Sequence, residues 1–215
     1  MGITQRNEFV RMERDTLEEI PCHPLPSGFS AKWYEPGDEQ LWIDVHLKAE
    51  KYQESKEAVY VGEFGTDTET LRRRQLFLLD DRGNPVDTAT AWFDDDYHGH
   101  RHGRVHWVAV VPEYQGRGLS KPLVSLVLAR LVELGHDRAY LRTTTARLHA
   151  IYLYVKFGFV PSLRTPEDRF AAIDDFPYEP RYVDIDGLRM AYFDEGLGDA
   201  GTVLLPHGES TWGYL

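Results

Sequence analysis

The chain has little cysteine and no long apolar run. Its 215 residues include a single cysteine, Cys22, so no disulfide can form within the chain. One thiol fits a reducing compartment. No apolar stretch is long enough to cross a bilayer, and the N-terminus lacks the apolar region of a secretory signal. These absences argue against a disulfide-stapled secreted fold and a membrane-spanning protein, and we expect a cytoplasmic one.

Positive charge is also scarce. The chain holds 24 Lys and Arg against 35 Asp and Glu, a formal net charge of −11. A nucleic-acid ligand requires a basic surface, so this balance argues against one. Residues 168–215 contain ten acidic and three basic side chains, which leaves the rest nearly balanced. The acidity therefore belongs mostly to the C-terminal part and does not indicate a cationic substrate.

One segment, Val108–Ser120, stands out among what is present. VAVVPEYQGRGLS is typical of a buried strand, a glycine-rich turn and the start of a helix. The first N–H groups of a helix have no partner within it, and the helix dipole adds partial positive charge there. Gly116 and Gly118 let a phosphate approach the backbone, and Arg117 adds a charged donor. The segment predicts a di- or triphosphate site; the alternative is an ordinary turn with incidental glycines.

The turn fits neither a P-loop nor the dinucleotide fingerprint G-x-G-x-x-G. It resembles the pyrophosphate loop of the GCN5-related N-acetyltransferases, whose pattern is [QR]-x-x-G-x-[GA]. The matching residues are Gln115, Gly116, Arg117, Gly118, Leu119 and Ser120. Ser120 departs from the pattern but is small enough to keep the loop.

A second segment, Ala146–Pro161, resembles the N-x-x-A-x-x-L-Y-x-x-x-G-F element of the same family. Arg147 stands at the Asn position, and the matching residues are Ala150, Leu153, Tyr154, Gly158 and Phe159. Both motifs occur in the family's order and at its usual separation. The resemblance extends over about residues 25–165.

The resemblance implies an acetyl-CoA-dependent enzyme that needs no metal. In the family, the strand before the loop splays from its neighbour and pairs with the pantetheine arm, a role that falls on Val108, Ala109 and Val110. A backbone N–H polarises the thioester carbonyl, as in an oxyanion hole.

Tyr154 matches the family tyrosine that protonates the departing thiolate of coenzyme A. A phenol with a pKa near 10 keeps its proton at neutral pH and is able to donate it. The alternative is that Tyr154 is one of several core aromatics on its helix, beside Tyr152 and Phe157.

His106 is the candidate general base. It lies nine residues before Gln115, the separation at which the serotonin acetyltransferase branch carries a base histidine. Simple alternation places it on the strand face of Val108 and Val110. The alternative is a buried structural histidine, and the rival acids are Glu63 and the run 94–96.

The H-x-H-x-H string of His98, His100 and His102 has the alternation of a metal site on a strand. Glycines interrupt it, and no Cys or acidic partner stands at a set spacing. We therefore interpret it as part of a flexible polar loop, and the chemistry above requires no metal.

The predicted fold class is α/β (α+β), a mixed, mostly antiparallel sheet flanked by helices, with a short β-rich C-terminal extension. Met12–Ile20 has some helical spacing. The pattern predicts helices near 39–55, 66–74, 118–134 and 146–157, and strands at 29–34, 76–79, 86–93, 105–111, 139–145 and from 159. The expected division is an N-terminal extension at 1–24, an acetyltransferase domain at 25–167 and an acidic extension at 168–215.

The last 35 or so residues have a different character. Tyr182–Gly196 alternates like a hairpin with Asp186-Gly187 as its turn. The following HGE-x-TW element, His207 to Trp212, resembles the opening of the haloalkane-dehalogenase branch of the α/β-hydrolases. No nucleophile elbow follows, so we expect no hydrolase activity. The segment is either the start of a fused domain or a docking arm, with a homodimer as one outcome.

The function predicted from sequence is transfer of an acetyl group from acetyl-CoA to a primary amine of a small molecule, such as an antibiotic, amino acid or polyamine. The alternative is a non-catalytic acyl-CoA sensor on the same fold. The acceptor is expected to be selected by residues 39–65 and by the loop near 94–103.

Overall fold

The computed structural model describes residues 9–49, 56–162, 181–185 and 188–192, the last two ranges as backbone only. The chain divides into two compact units, Met1–Ser162 and Leu163–Leu215. In the first unit the strands are β1 (Phe9–Arg14), β2 (Phe29–Trp33), β3 (Gln75–Asp80), β4 (Pro85–Tyr97), β5 (His100–Val110), β6 (Ala139–Thr144) and β7 (Val160–Ser162). The helices are α1 (Glu39–Ala49), α2 (Lys56–Phe64), α3 (Thr68–Arg74), α4 (Ser120–Glu133) and α5 (Leu148–Lys156).

The seven strands form one sheet in the order β2-β3-β4-β5-β6-β1-β7. Every pairing is antiparallel except the parallel contact of β5 with β6. This confirms the predicted mixed, mostly antiparallel sheet flanked by helices. The helical spacing at Met12–Ile20 was misleading, because Phe9–Arg14 is a strand inserted between β6 and β7. Pairing on both edges outweighs the local pattern.

The sheet has a separate apolar core on each face. On one face, α4 and α5 cover side chains of β3 and β4 such as Leu76, Leu78 and Ala89, and this cluster includes Tyr154. On the other face, a cluster built around Trp42 joins aromatic side chains of α1 and α2 to Phe77. Helices on both faces protect the apolar strands from water.

The described residues between β2 and β3 form three helices, where the sequence predicted two. α1 begins at Glu39 as expected, and residues 50–55, the rest of its predicted length, lie outside the described residues. α2 was not predicted. The carboxylate of Asp67 caps α3 by accepting hydrogen bonds from the N–H groups of Glu69 and Thr70. Among the described helices, none combines the length and apolar character needed to cross a membrane.

The predicted polar loop near 94–103 is wrong. β4 continues to Tyr97 and β5 begins at His100, so the two strands form a long hairpin with a tight turn at His98-Gly99. The ring of Tyr97 stacks on Tyr140 at a centroid distance of 3.9 Å, and its hydroxyl donates to Glu13. These contacts between strands order a segment whose glycines and charges suggested a loop.

The second unit contains the predicted hairpin. β8 (Arg181–Ile185) pairs antiparallel with β9 (Leu188–Tyr192), with Ile185 opposite Leu188, and the predicted turn at 186–187 lies outside the described residues. The HGE-x-TW element at 207–212 lies outside the described residues. The homodimer contact through this extension stays a prediction.

Arg14 fastens α5 to the sheet. It is buried, and its guanidinium donates hydrogen bonds to the carbonyls of Thr16, Glu18 and Phe157. Phe157 is the C-cap of α5, so the bond to its carbonyl ties β1 to the helix that carries Tyr154.

We expect Arg14→Ala to destabilise the fold by about 3 kcal/mol, because it leaves buried carbonyls without donors. Urea unfolding measures the loss. Arg11→Ala is the matched control: it lies on the same strand, is exposed, and should cost under about 0.5 kcal/mol. Equal losses of unfolding free energy in the two variants would show that the hydrogen bonds of Arg14 do not stabilise the packing of α5.

Candidate functional site

A β-bulge in β5 defines the centre of the site. Thr90 pairs with His106 but Thr88 pairs with Ala109, so β5 has one more residue than β4 between these pairs. Trp107 has φ of 49°, a conformation that is strained for a bulky side chain. The prediction that His106 shares a face with Val108 and Val110 is therefore wrong. The extra residue reverses the alternation, and His106 faces α2.

β5 and β6 stop pairing just before this bulge. Their parallel pairing covers only Gly103–Val105 of β5, and β6 continues along β1 as far as Thr144. The stretch from His106 to Val110 therefore has one edge that is not paired to β6. A strand edge without a partner offers N–H and C=O groups to an extended ligand. This edge contains the predicted pantetheine-binding residues Val108, Ala109 and Val110.

The predicted phosphate loop connects β5 to α4 through a 3₁₀ turn at Pro112–Tyr114. Gly116 and Gly118 have φ of 77° and 80°, a region that favours glycine. A Cβ at either glycine would touch no protein atom within 4 Å, so the protein leaves space beside both. Leu119 is the N-cap of α4 and supplies no side-chain acceptor. The first N–H groups of the helix, beginning at Ser120, thus receive no side-chain cap, which suits a diphosphate.

Side chains of the loop contact neighbouring residues of the same domain. The guanidinium of Arg117 lies 4.5 Å from the centroid of the Tyr114 ring, and the Tyr114 hydroxyl donates to Asp80 at 2.8 Å. Gln115 donates to the carbonyl of Val110 at 3.4 Å. Arg117 and Gln115 are otherwise exposed, so both are accessible to a ligand at the loop.

Tyr154 lies on α5 and is buried against the core cluster on the α4/α5 face. Its ring meets Phe159 edge to face at 6.1 Å. Burial raises the pKa of its phenol, and the charge of Arg147 partly opposes this effect. The phenol is therefore fully protonated at neutral pH, as a proton donor must be.

His106 pairs with Glu63 of α2. Its Nε2 lies 2.9 Å from Oε2 of Glu63, and the imidazole is buried whereas the carboxylate is 40% exposed. Burial lowers the pKa of His106 to about 4, although the hydrogen bond to Glu63 opposes the shift. The bond from His106 lowers the pKa of Glu63 to about 2. At neutral pH a neutral imidazole donates its Nε2 proton to an ionised carboxylate, which leaves the lone pair on Nδ1.

Tyr154 thus belongs to the α4/α5 face of the sheet, and His106 lies on the opposite face, at the point where β5 stops pairing with β6. Sequence reasoning named Glu63 only as a rival acid. It missed the pair because 43 residues separate the partners and no motif joins them.

The acidic run and the histidine string lie away from the stretch His106–Val110. Asp94 pairs with His102, four residues before His106, and accepts a hydrogen bond from Tyr140. Asp95 binds Arg101 at 3.2 Å. His98, His100 and His102 belong to the β4–β5 hairpin rather than to a loop. In the described part of the chain, no group of three potential metal ligands comes together.

The chain is similar to curated proteins in two separate regions. It is 28% identical over 173 residues to a mycothiol acetyltransferase of Thermobispora bispora, which covers 74% of this chain and 55% of that protein. Its C-terminal region is 48% identical over 58 residues to a haloalkane dehalogenase of Psychrobacter cryohalolentis, covering 25% of this chain and 19% of the dehalogenase. The chain thus spans about half the length of the first relative and a fifth of the second.

Solved structures share this fold. A GCN5-related N-acetyltransferase from Sphaerobacter thermophilus superposes with a TM-score of 0.61 at 20% identity, over 73% of this chain and 49% of that one. The sequence profile described as the Acetyltransferase (GNAT) family matches residues 33–159, which include the bulge, the glycine loop and Tyr154. The chain belongs to the acetyltransferase (GNAT) family.

Proposed function

We propose that the chain is an N-acetyltransferase that moves the acetyl group of acetyl-CoA to a primary amine of a small molecule. One observation carries the proposal: the sheet has a protonated phenol on one face and, where β5 stops pairing with β6, a neutral imidazole on the other. A reaction that removes a proton from an amine and gives one to a thiolate needs such a pair. A sensor module needs neither group.

The loop and the open strand edge are suited to acetyl-CoA. The uncapped N–H groups at the start of α4, with Arg117 beside them, would hold the diphosphate. The edge formed by Val108, Ala109 and Val110 would pair with the pantetheine amides and place the thioester beside the bulge. Coenzyme A supplies an activated acyl group on a thiolate leaving group.

The proposed chemistry conserves every proton. Nδ1 of His106 takes one proton from the bound ammonium, and the neutral nitrogen then forms a bond to the carbonyl carbon and loses its second proton to solvent. The carbon–sulfur bond breaks, and the Tyr154 hydroxyl protonates the thiolate. The phenolate then recovers a proton from solvent, and His106 releases one. The nucleophile and the leaving group occupy different sides of one tetrahedral carbon, so groups on opposite faces are suitably placed.

Glu63 is proposed to attract the acceptor. It is ionised, partly exposed and next to the base, so it favours an ammonium group nearby. The half-buried rings of Trp92 and Trp107 lie close to this dyad and favour an amine carried on an apolar frame. The relatives named for mycothiol place amines of the mycothiol type among those to be tested.

The test is release of free thiol from acetyl-CoA across antibiotics, amino acids, polyamines, arylalkylamines and amines of the mycothiol type. Acetylated product is confirmed by mass spectrometry. Turnover of at least one amine supports the proposal. Tight coenzyme A binding without turnover on any of these classes would favour the sensor alternative.

We expect His106→Gln to lower kcat/KM about 100-fold at pH 7, since general base catalysis contributes roughly that factor. The deficit should shrink as the pH approaches the pKa of the acceptor amine, because the substrate is then already neutral. The wild-type rate should show no inflection near 6.5, since the imidazole stays neutral down to about pH 4.

Glu63→Gln is the matched control for this profile. The amide oxygen is still able to accept the Nε2 proton, so the tautomer of His106 is kept while the charge is removed. We expect a loss of about threefold to tenfold, mainly in KM for cationic amines. A His106→Gln deficit that is constant at every pH would contradict the role of His106 as base.

A further inference from the structure

Asp87 is a buried acid that the proposed reaction does not use. It lies on β4 in the run PVDTATAWF, and its side chain has no exposed surface. Within the described residues, neither carboxyl oxygen has a hydrogen-bond partner. A buried polar group without a partner is costly, and natural folds keep few of them. An acid in this state is a candidate for a functional role.

The sheet register places Asp87 at the same end of the sheet as the proposed cofactor-binding edge. Val105 of β5 pairs with Leu141 of β6. Asp87 pairs with Val110, which lies five residues further along β5. Allowing for the bulge, Asp87 is level with the C-terminal end of β6, where the chain turns toward α5. It is therefore near the proposed cofactor-binding edge and not at the distant hairpin end.

Asp87 also shares a face with Tyr154. Its pairing with Leu78 on β3 is regular, so alternation along β4 puts Asp87 on the same side as Ala89 and Ala91. Those alanines, Leu78 and Tyr154 belong to one buried cluster under α4 and α5. Burial is the largest cause of the raised pKa of the Tyr154 phenol, and the charge of Arg147 lowers this pKa. An ionised Asp87 would raise it further, which indicates that the two side chains are close.

The environment favours the protonated form of this acid. Burial raises the pKa of the Asp87 carboxyl well above its ordinary value. A protonated carboxyl has an O–H donor, which a carboxylate lacks. The phenol oxygen of Tyr154 is able to accept a hydrogen bond while its own O–H points elsewhere.

We propose that Asp87 is a positioning residue whose buried carboxyl hydrogen-bonds through one water to the Tyr154 hydroxyl and aims that hydroxyl at the thioester sulfur. The proposal rests on the proposed role of Tyr154 as the acid. Asp87 transfers no proton and touches no substrate, so its effect belongs in kcat and not in the KM for acetyl-CoA.

A double-mutant cycle tests the link. Asp87→Val should lower kcat about 10-fold in the wild-type background and have no further effect once Tyr154→Phe is present. Asp87→Asn keeps the shape and an N–H donor and should retain most of the rate. Because Val replaces a buried acid by an apolar side chain of similar size, stability should stay equal or rise while activity falls.

His136→Leu is the matched control. His136 is buried, neither ring nitrogen has a partner within the described residues, and it precedes β6 at the end opposite to α5. This variant should leave kcat unchanged in both backgrounds. With ¹³Cζ-labelled tyrosine, the Tyr154 resonance should shift in Asp87→Val but not in His136→Leu, a readout that needs no turnover.

Equal losses from Asp87→Val with and without the Tyr154 hydroxyl would assign Asp87 a purely structural role and overturn the proposal. An unshifted Tyr154 resonance, or full activity of Asp87→Val, would do the same. Failure of the acid itself is recognised separately, because Tyr154→Phe alone would then be fully active.

Discussion

Tyr154→Phe should reduce kcat about 100- to 1000-fold while the Kd for coenzyme A stays within about twofold. General acid catalysis contributes a factor of this size, and the variant removes only the hydroxyl that protonates the thiolate. The ring still fills its place in the core beside Phe159, so thermal stability should change little. Steady-state kinetics, with calorimetry for coenzyme A binding, separates the two effects.

Tyr152→Phe is the control for this prediction. Tyr152 lies two residues earlier on α5, is 63% exposed and packs against Lys156 rather than the core. Its substitution should leave kcat, coenzyme A affinity and stability unchanged. If Tyr154→Phe keeps its turnover but loses stability, Tyr154 is one of the core aromatics and the thiolate is protonated by another group.

Features set by local backbone geometry could be predicted from the sequence. Glycine at 116 and 118 indicates positive φ, and both residues have it. The helix predicted near 118–134 also depends on local spacing, and α4 occupies Ser120–Glu133. In such segments the residues that determine the structure are within a few positions of one another.

Features set by partners distant in sequence could not be predicted. β1 has weak strand character and is a strand because β6 and β7 pair with both of its edges. The bulge at Trp107 arises from the pairing of β5 with β4, and this single extra residue reversed the predicted face of His106. The partnership of Glu63 with His106 depends on how α2 packs on the sheet.

Asp87 is intermediate between these cases. Asp87 is the one charged residue of the run PVDTATAWF in β4, but no motif marks it and its meaning depends on register. Only the pairing of β4 with β3 and β5 shows that it shares an end and a face with Tyr154. Sequences depart from local consistency at functional sites, which makes such an anomaly informative.

Gly118→Ala should weaken coenzyme A binding about 100-fold. The added methyl group meets no protein atom, but it would occupy the space beside the uncapped N–H groups of α4 where the diphosphate is proposed to bind. Losing one or two charge-assisted bonds costs about 2–3 kcal/mol, which corresponds to that factor in Kd. Isothermal titration calorimetry with coenzyme A measures the loss of affinity. The same titration with pantetheine, which lacks the diphosphate, serves as the reference ligand.

Gly135→Ala separates the loss of ligand contacts from backbone strain. Gly135 follows the other end of α4, has φ of 82° and also has open space around its Cβ position. Both substitutions should cost about 1 kcal/mol of stability, since both force alanine into a region that favours glycine. Only Gly118→Ala should weaken coenzyme A, and pantetheine should bind all three proteins alike. Equal weakening by the two alanines would mean that strain in α4, and not the loop's grip on the diphosphate, governs affinity.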